Sequence, residues 1–202
     1  MQQEEEKEML KFVNVAELAE YRRIAQVDEI GRRVIANNGF DGVLTMMGVL
    51  MGSWVAGVRD PRIVISTGLA TCMAMGISGA WGSYATESAE RKHAMQDLEH
   101  AMLSDMTNSK QARASRFATL VIAALDGLSP LLAGIMVLLP FLLGGLWSDI
   151  TYSYLASLSM ALIALFGLGA FLATVARENI LRAGMRMILA GAICVAVTLL
   201  VS

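Results

Sequence analysis

The chain is short of charge, cysteine, histidine and proline, and each shortage narrows what it can be. Asp, Glu, Lys and Arg make up 17% of its 202 residues, against 55% hydrophobic. Charge is missing altogether from residues 42–58, 63–86, 127–147, 150–176 and 187–202. A soluble fold of this length has too little polar surface left to cover five such windows. Each window instead comes near the roughly 20 apolar residues that a helix rising about 1.5 Å per residue needs to cross a bilayer. The two cysteines, Cys72 and Cys194, fall inside these windows without metal-ligand spacing and read as small apolar packing residues. No basic patch with interleaved aromatics points to nucleic acid. No nucleophile, base and orienting group occur together, and there is no phosphate loop, so the pattern points away from an enzyme. The acidic start (Glu4, Glu5, Glu6, Glu8) lacks the basic region of a cleaved signal peptide.

What is present predicts an all-α integral membrane protein with five transmembrane helices, at about 40–58, 63–86, 117–147, 150–176 and 183–202. The last reaches full length only by including Ala183–Arg186, with Arg186 snorkelling to the interface. Lys7, Lys11, Arg22, Arg23, Arg32 and Arg33 precede the first span. Arg91, Lys92, Lys110, Arg113 and Arg116 lie between the second and third, and Arg177, Arg182 and Arg186 between the fourth and fifth. The other side holds only Arg59 and Arg62. The positive-inside rule therefore places the N-terminus in the cytoplasm.

Residues 1–36 read as a cytoplasmic amphipathic segment ahead of a membrane domain over 37–202. Leu10, Val13, Leu18, Tyr21, Ile24, Val27, Ile30 and Val34 recur at helical steps, which suits a helix lying on the interface. Asn37-Asn38-Gly39 is expected to break it. A cytoplasmic helical insert follows the second span over 87–116, loosening at Thr107-Asn108-Ser109. All three prolines mark expected interruptions: Pro61 in the tight turn Arg59-Asp60-Pro61-Arg62, and Pro130 and Pro140 within the third span. A broken membrane helix usually lines a cavity or packs against protein, and plain kinking is the simpler reading of Pro130 and Pro140. Asp41-Gly42 with Gly79-Ala80-Trp81, and Asp126-Gly127 with Gly169-Ala170-Phe171, suggest a weak parallel repeat.

Two carboxylates stand at the edges of apolar windows, Asp41 and Asp126. A carboxylate at the centre of a membrane helix costs about 2.5–3.5 kcal/mol on an insertion scale, so its presence asks for a metal, a proton or a buried partner. Asp41, Thr45, Gly48 and Gly52 share one helix face. Gly48, Gly52 and Ala56 form a small-residue stripe suited to close helix or dimer packing, as Gly76 and Gly79 are on the second span. Capping of the helix N-terminus is the plainer role for Asp41. Met75, on a stripe with Gly79, Thr86 and Glu90, is either a soft ligand or core filler. Beyond the span, Glu90, His93, Asp97 and His100 fall within about 80° of one helix face, with Glu87 a turn earlier. Imidazole and carboxylate together suit Fe, Mn and Zn; a solvated helix face has the same pattern.

Together these stretches resemble the vacuolar iron transporter family. The resemblance runs from Asp41-Gly42-Val43-Leu44-Thr45 through Gly68-Leu69-Ala70, Ile77-Ser78 and Gly82-Ser83-Tyr84. It continues with Pro130-Leu131-Leu132, Leu139-Pro140-Phe141 and Leu181-Arg182-Ala183-Gly184-Met185-Arg186-Met187 to Gly191. It implies a homodimer that exports ferrous iron or manganese from the cytosol by proton antiport, across a prokaryotic plasma membrane, with no permanently bound cofactor. The family aspartate maps onto Asp41, its second-span methionine onto Gly79, and the glutamate of its Gly-Glu-Tyr motif onto Ser83. Met75, a turn earlier, stands in as the soft ligand. The long cytoplasmic metal-binding domain of plant-type members is reduced here to about thirty residues, as in a compact prokaryotic branch. On this reading Asp41, Thr45, Met75 and Asp126 line the transport path, and Glu87, Glu90, His93, Asp97 and His100 capture metal from the cytoplasm. Alternatives from other classes are a non-transporting membrane scaffold or sensor, and a transporter of a non-metal substrate.

Overall fold

A computed structural model of the protein describes residues 15–24, 26–104, 109–143 and 149–201. Leu10 and Val13 of the expected amphipathic helix, the loosened Thr107 and Asn108, and Trp147 at the expected end of the third span lie outside these residues. Among the described residues there are six helices and no strand: α1 (Val15–Ile24), α2 (Val27–Val55), α3 (Pro61–Met102), α4 (Lys110–Leu142), α5 (Ile150–Ala176) and α6 (Ile180–Val201). Helices α2 to α6 are long and apolar enough to cross a membrane, so the chain is an all-α protein with five spans. With 42 residues, α3 is about 63 Å long, roughly twice the hydrocarbon thickness of a bilayer. Its polar half, from about residue 87, projects beyond the apolar slab.

Helix α4 is the hub, packed most extensively against α3 and α2, while α5 pairs with α6. The core between them holds Met46, Met47 and Leu50 from α2, Cys72 from α3, Leu138 and Phe141 from α4, and Leu165 from α5. Several crossings, two of them made by α4, are close enough to exclude a side chain. A Cβ on Gly42 would lie 2.5 Å from the Pro130 carbonyl oxygen, and one on Gly127 would lie 2.5 Å from that of Gly76. Glycine costs a helix about 1 kcal/mol in propensity, but within a bilayer it lets backbones meet, and van der Waals packing drives association there.

The helix ends follow from local chemistry. Asp60 accepts from the Arg62 N–H at 2.9 Å with Pro61 as the first helical residue of α3, Ser109 accepts from the Ala112 N–H at 3.1 Å, and Asp149 from that of Thr151 at 2.9 Å. The Thr151 backbone N–H, then its hydroxyl, with Arg59 further off, hold the Asp149 carboxyl below the usual carboxylate range. Nearby, the Tyr154 hydroxyl donates to the Val58 carbonyl at 3.1 Å, and its ring stands edge-on to Trp54 and Phe141 at 5.0 and 4.8 Å. This aromatic knot ties the α2–α3 turn to α4 and α5.

Two expectations about interruptions are corrected. The break expected at Asn37-Asn38-Gly39 does not occur there: α2 runs through all three residues, and the chain bends at Gln26, whose φ is 51°. Tertiary contacts outweigh local propensity, since Gly39 packs on Leu168 and Asn38 finds a side-chain acceptor on α4. Likewise, Pro130 and Pro140 lie inside a continuous α4. Proline removes the N–H that would bond the carbonyl four residues back, and for Pro130 that carbonyl is Asp126's. It faces Gly79 of α3 instead: a Cβ there would sit 2.8 Å from this oxygen.

Short α1 docks on the start of α4. Glu20 pairs with Lys110 at 3.1 Å, Tyr21 meets Phe117 with ring centroids 6.2 Å apart, and Arg22 reaches across the bend to Asp28.

Candidate functional site

The polar groups of the membrane domain collect where α2, α3 and α4 meet, near the end of the bundle that carries most of the lysines and arginines. Asp126 is half-buried there on α4. The Asn38 side-chain amide of α2 donates to its carboxylate, and Ser83 of α3 stands beside it. Glu87, a turn beyond Ser83, faces the same group and is bound by Arg91 at 2.8 Å, with both side chains about four-fifths covered (22% and 20% exposed). Arg91 balances Glu87, which leaves Asp126 with neutral polar neighbours and no cation of its own among the described residues of this junction. The close approach of Gly76 and Gly79 to Gly127 and the Asp126 backbone brings these neighbours within reach. Gly76 and Gly79, expected as packing positions, therefore pack within the subunit against α4.

Asp41 lies elsewhere. It sits on an exposed face of α2, with Thr45, Gly52 and Ala56 also exposed and nothing within 4 Å of a Cβ built on Gly48 or Gly52. The shared face expected for these residues is thus present and uncovered by the other described residues. Since α2 starts at Val27, Asp41 falls mid-helix and is not its N-cap. Met75 points another way. Its methyl lies 3.6 Å from a Cβ built on Gly134, beside Cys72 and Met46, in the packing between α3 and α4. Asp41 and Asp126 therefore belong to two different surfaces of the subunit.

On the projecting part of α3, His93 approaches Asp97 at 3.5 Å, both exposed by 70% or more, and Glu90 and His100 are also exposed. Glu87 belongs to the Asp126 junction rather than to this face. Among the described residues, no three His, Cys, Asp or Glu side chains converge as a metal site. One straight helix cannot bring two residues seven apart, such as His93 and His100, onto one ion.

Sequence reasoning missed Asn38 and Arg91. Asn38 was masked by its own neighbours, because Asn-Asn-Gly looks like a helix stop. For Arg91 a signal existed: it follows Glu87 by four residues, the spacing of a helical ion pair.

Five helices long and apolar enough to cross a membrane define an integral, multi-pass membrane protein, with two carboxylates, Asp41 and Asp126, on its spans. The sequence pattern of the VIT family matches residues 33–114 and 100–202. The chain therefore belongs to the VIT family, and at family level it is a membrane metal or ion transporter. It is also similar to an uncharacterized protein of Methanocaldococcus jannaschii, with 28% identity over 172 residues, covering 84% of this chain and 86% of that protein.

Proposed function

We propose that the protein exports a divalent metal, ferrous iron or manganese, from the cytosol in exchange for protons, working as a homodimer. One observation carries this reading: Asp41 lies in mid-helix on a face that the described residues of its own subunit leave open, above a strip of glycine and alanine. A carboxylate turned to lipid is costly, and a small-residue strip favours a second helix at close range. The same face of a second subunit would place two Asp41 carboxylates and two Thr45 hydroxyls about a two-fold axis. Such hard oxygen donors suit manganese and ferrous iron. Protons compete with metal for a carboxylate, which supplies the exchange.

Around that centre the other residues take graded roles. Asp126 is the second protonatable group, set back from the axis. Met75 is a reserve soft ligand that must leave its packing at Gly134 to act. Glu90, His93, Asp97 and His100 gather cations on the projecting helix, and chelate only if a second helix joins them. Calorimetry of purified protein with manganese tests the assignment. Wild type should bind, and Asp41→Asn should lose at least about tenfold in affinity, the lower end for losing one group that supports a metal site. Equal binding by both would remove Asp41 from the site.

A further inference from the structure

Where α1 bends into α2, the chain leaves a cleft of about 510 Å³ against α4. Its wall is apolar along Ile35, Phe117, Val121 and Leu125, and Arg22, Asp28 and Arg32 also line it. Arg22 is already satisfied, its Nε and Nη2 donating to Asp28 at 3.0 and 2.5 Å across the bend. Arg32 pairs with no carboxylate among the described residues. The surroundings share that sign: residues 20–33 and 110–117 hold seven basic side chains against three acidic. Depth is fixed by sequence. The long apolar run of α4 starts at Phe117, and Tyr21 packs on that ring, as an aromatic does at a membrane–water boundary. Along its length the cleft therefore passes from a cationic lip to an apolar wall at the level where headgroups give way to chains.

We propose that this cleft binds an anionic phospholipid, with the phosphate at Arg32 and the first part of an acyl chain along Ile35, Val121 and Leu125. The chemistry selects this occupant. Arg32 supplies a fixed charge that no carboxylate among the described residues pairs with, and basic pockets between membrane helices take acidic headgroups. A zwitterionic lipid would bring a second cation to a site already rich in them, and a soluble phosphate would leave the apolar wall unused. The site is separate from Asp41 and Asp126 and does not depend on which ion is carried.

Mass spectrometry of the intact protein, released from vesicles of equal phosphatidylglycerol and phosphatidylcholine, tests the assignment. Wild type should retain phosphatidylglycerol preferentially. Arg32→Gln, at an exposed position where folding is not at stake, should lower that retention about fivefold, the effect of one basic side chain near a charged bilayer. Arg182→Gln, on α6 and away from the cleft, should leave it unchanged. Equal retention of the two lipids by wild type would overturn the proposal. So would an equal fall in the two variants, which would mean a diffuse surface potential. Displacement of the lipid by glycerol phosphate at matched concentration would show a free-anion site, and would overturn it as well.

Discussion

Gly79 shows how one residue can set what a membrane site is able to contain. The resemblance would put a methionine here, and the neighbouring backbone leaves no room for one: the Asp126 carbonyl, left without an intrahelical partner by Pro130, occupies that space. Gly79→Met should therefore not restore a ligand. It should force α3 and α4 apart and destabilise the protein by about 1–3 kcal/mol, the usual cost of overpacking, measured by unfolding in detergent micelles. Asn38 is the complementary case, a polar side chain whose value comes from a partner 88 residues away. Asn38→Ala should cost about 0.6 kcal/mol, and no more than about 1.7, as interhelical hydrogen bonds in membranes do; mixed-micelle unfolding would measure it. Asp41 and Asp126 were legible in the sequence because carboxylates beside long apolar windows stand out. That they serve separate surfaces was not legible, since both simply adjoin apolar windows, and only the packing of α4 tells them apart.

The helices themselves were legible wherever burial and hydropathy agree. The fourth span was expected at 150–176, and α5 has those limits because Asp149 caps one end and Arg177, at φ 56°, closes the other. Interruptions were harder to read. Asn-Asn-Gly and proline weaken an isolated helix, but inside a bilayer unpaired backbone is so unfavourable that a neighbouring helix sustains the regular path. Punctuation was better read outside the membrane, where water competes. Ser109 was expected in a loosened stretch, and it is the residue that starts α4. Ser109→Ala should destabilise the protein by about 1 kcal/mol, as loss of an N-cap does, and should increase hydrogen exchange in the first turn of α4; unchanged exchange would mean that α1 docking alone holds that end.

For the molecule as a whole, the uneven distribution of polar groups matters most. One set is folded inward at the α2–α3–α4 junction. Another, on the open face of α2, meets nothing among the described residues of its own subunit. The first supports a fold that holds charge within an apolar bundle, and the second supports assembly about Asp41. The five-span architecture followed from the charge-free windows alone, whereas the division between inner and outer carboxylates needed the packed chain. The most direct measurement is uptake of manganese and ferrous iron by proteoliposomes, with and without an imposed pH gradient, for wild type and Asp41→Asn. Uptake that rises with the gradient in wild type and vanishes in Asp41→Asn, with the variant still folded, is the expected result. Uptake that is unchanged in Asp41→Asn, or absent for both ions in wild-type vesicles holding intact, oriented protein, would contradict the proposed exporter.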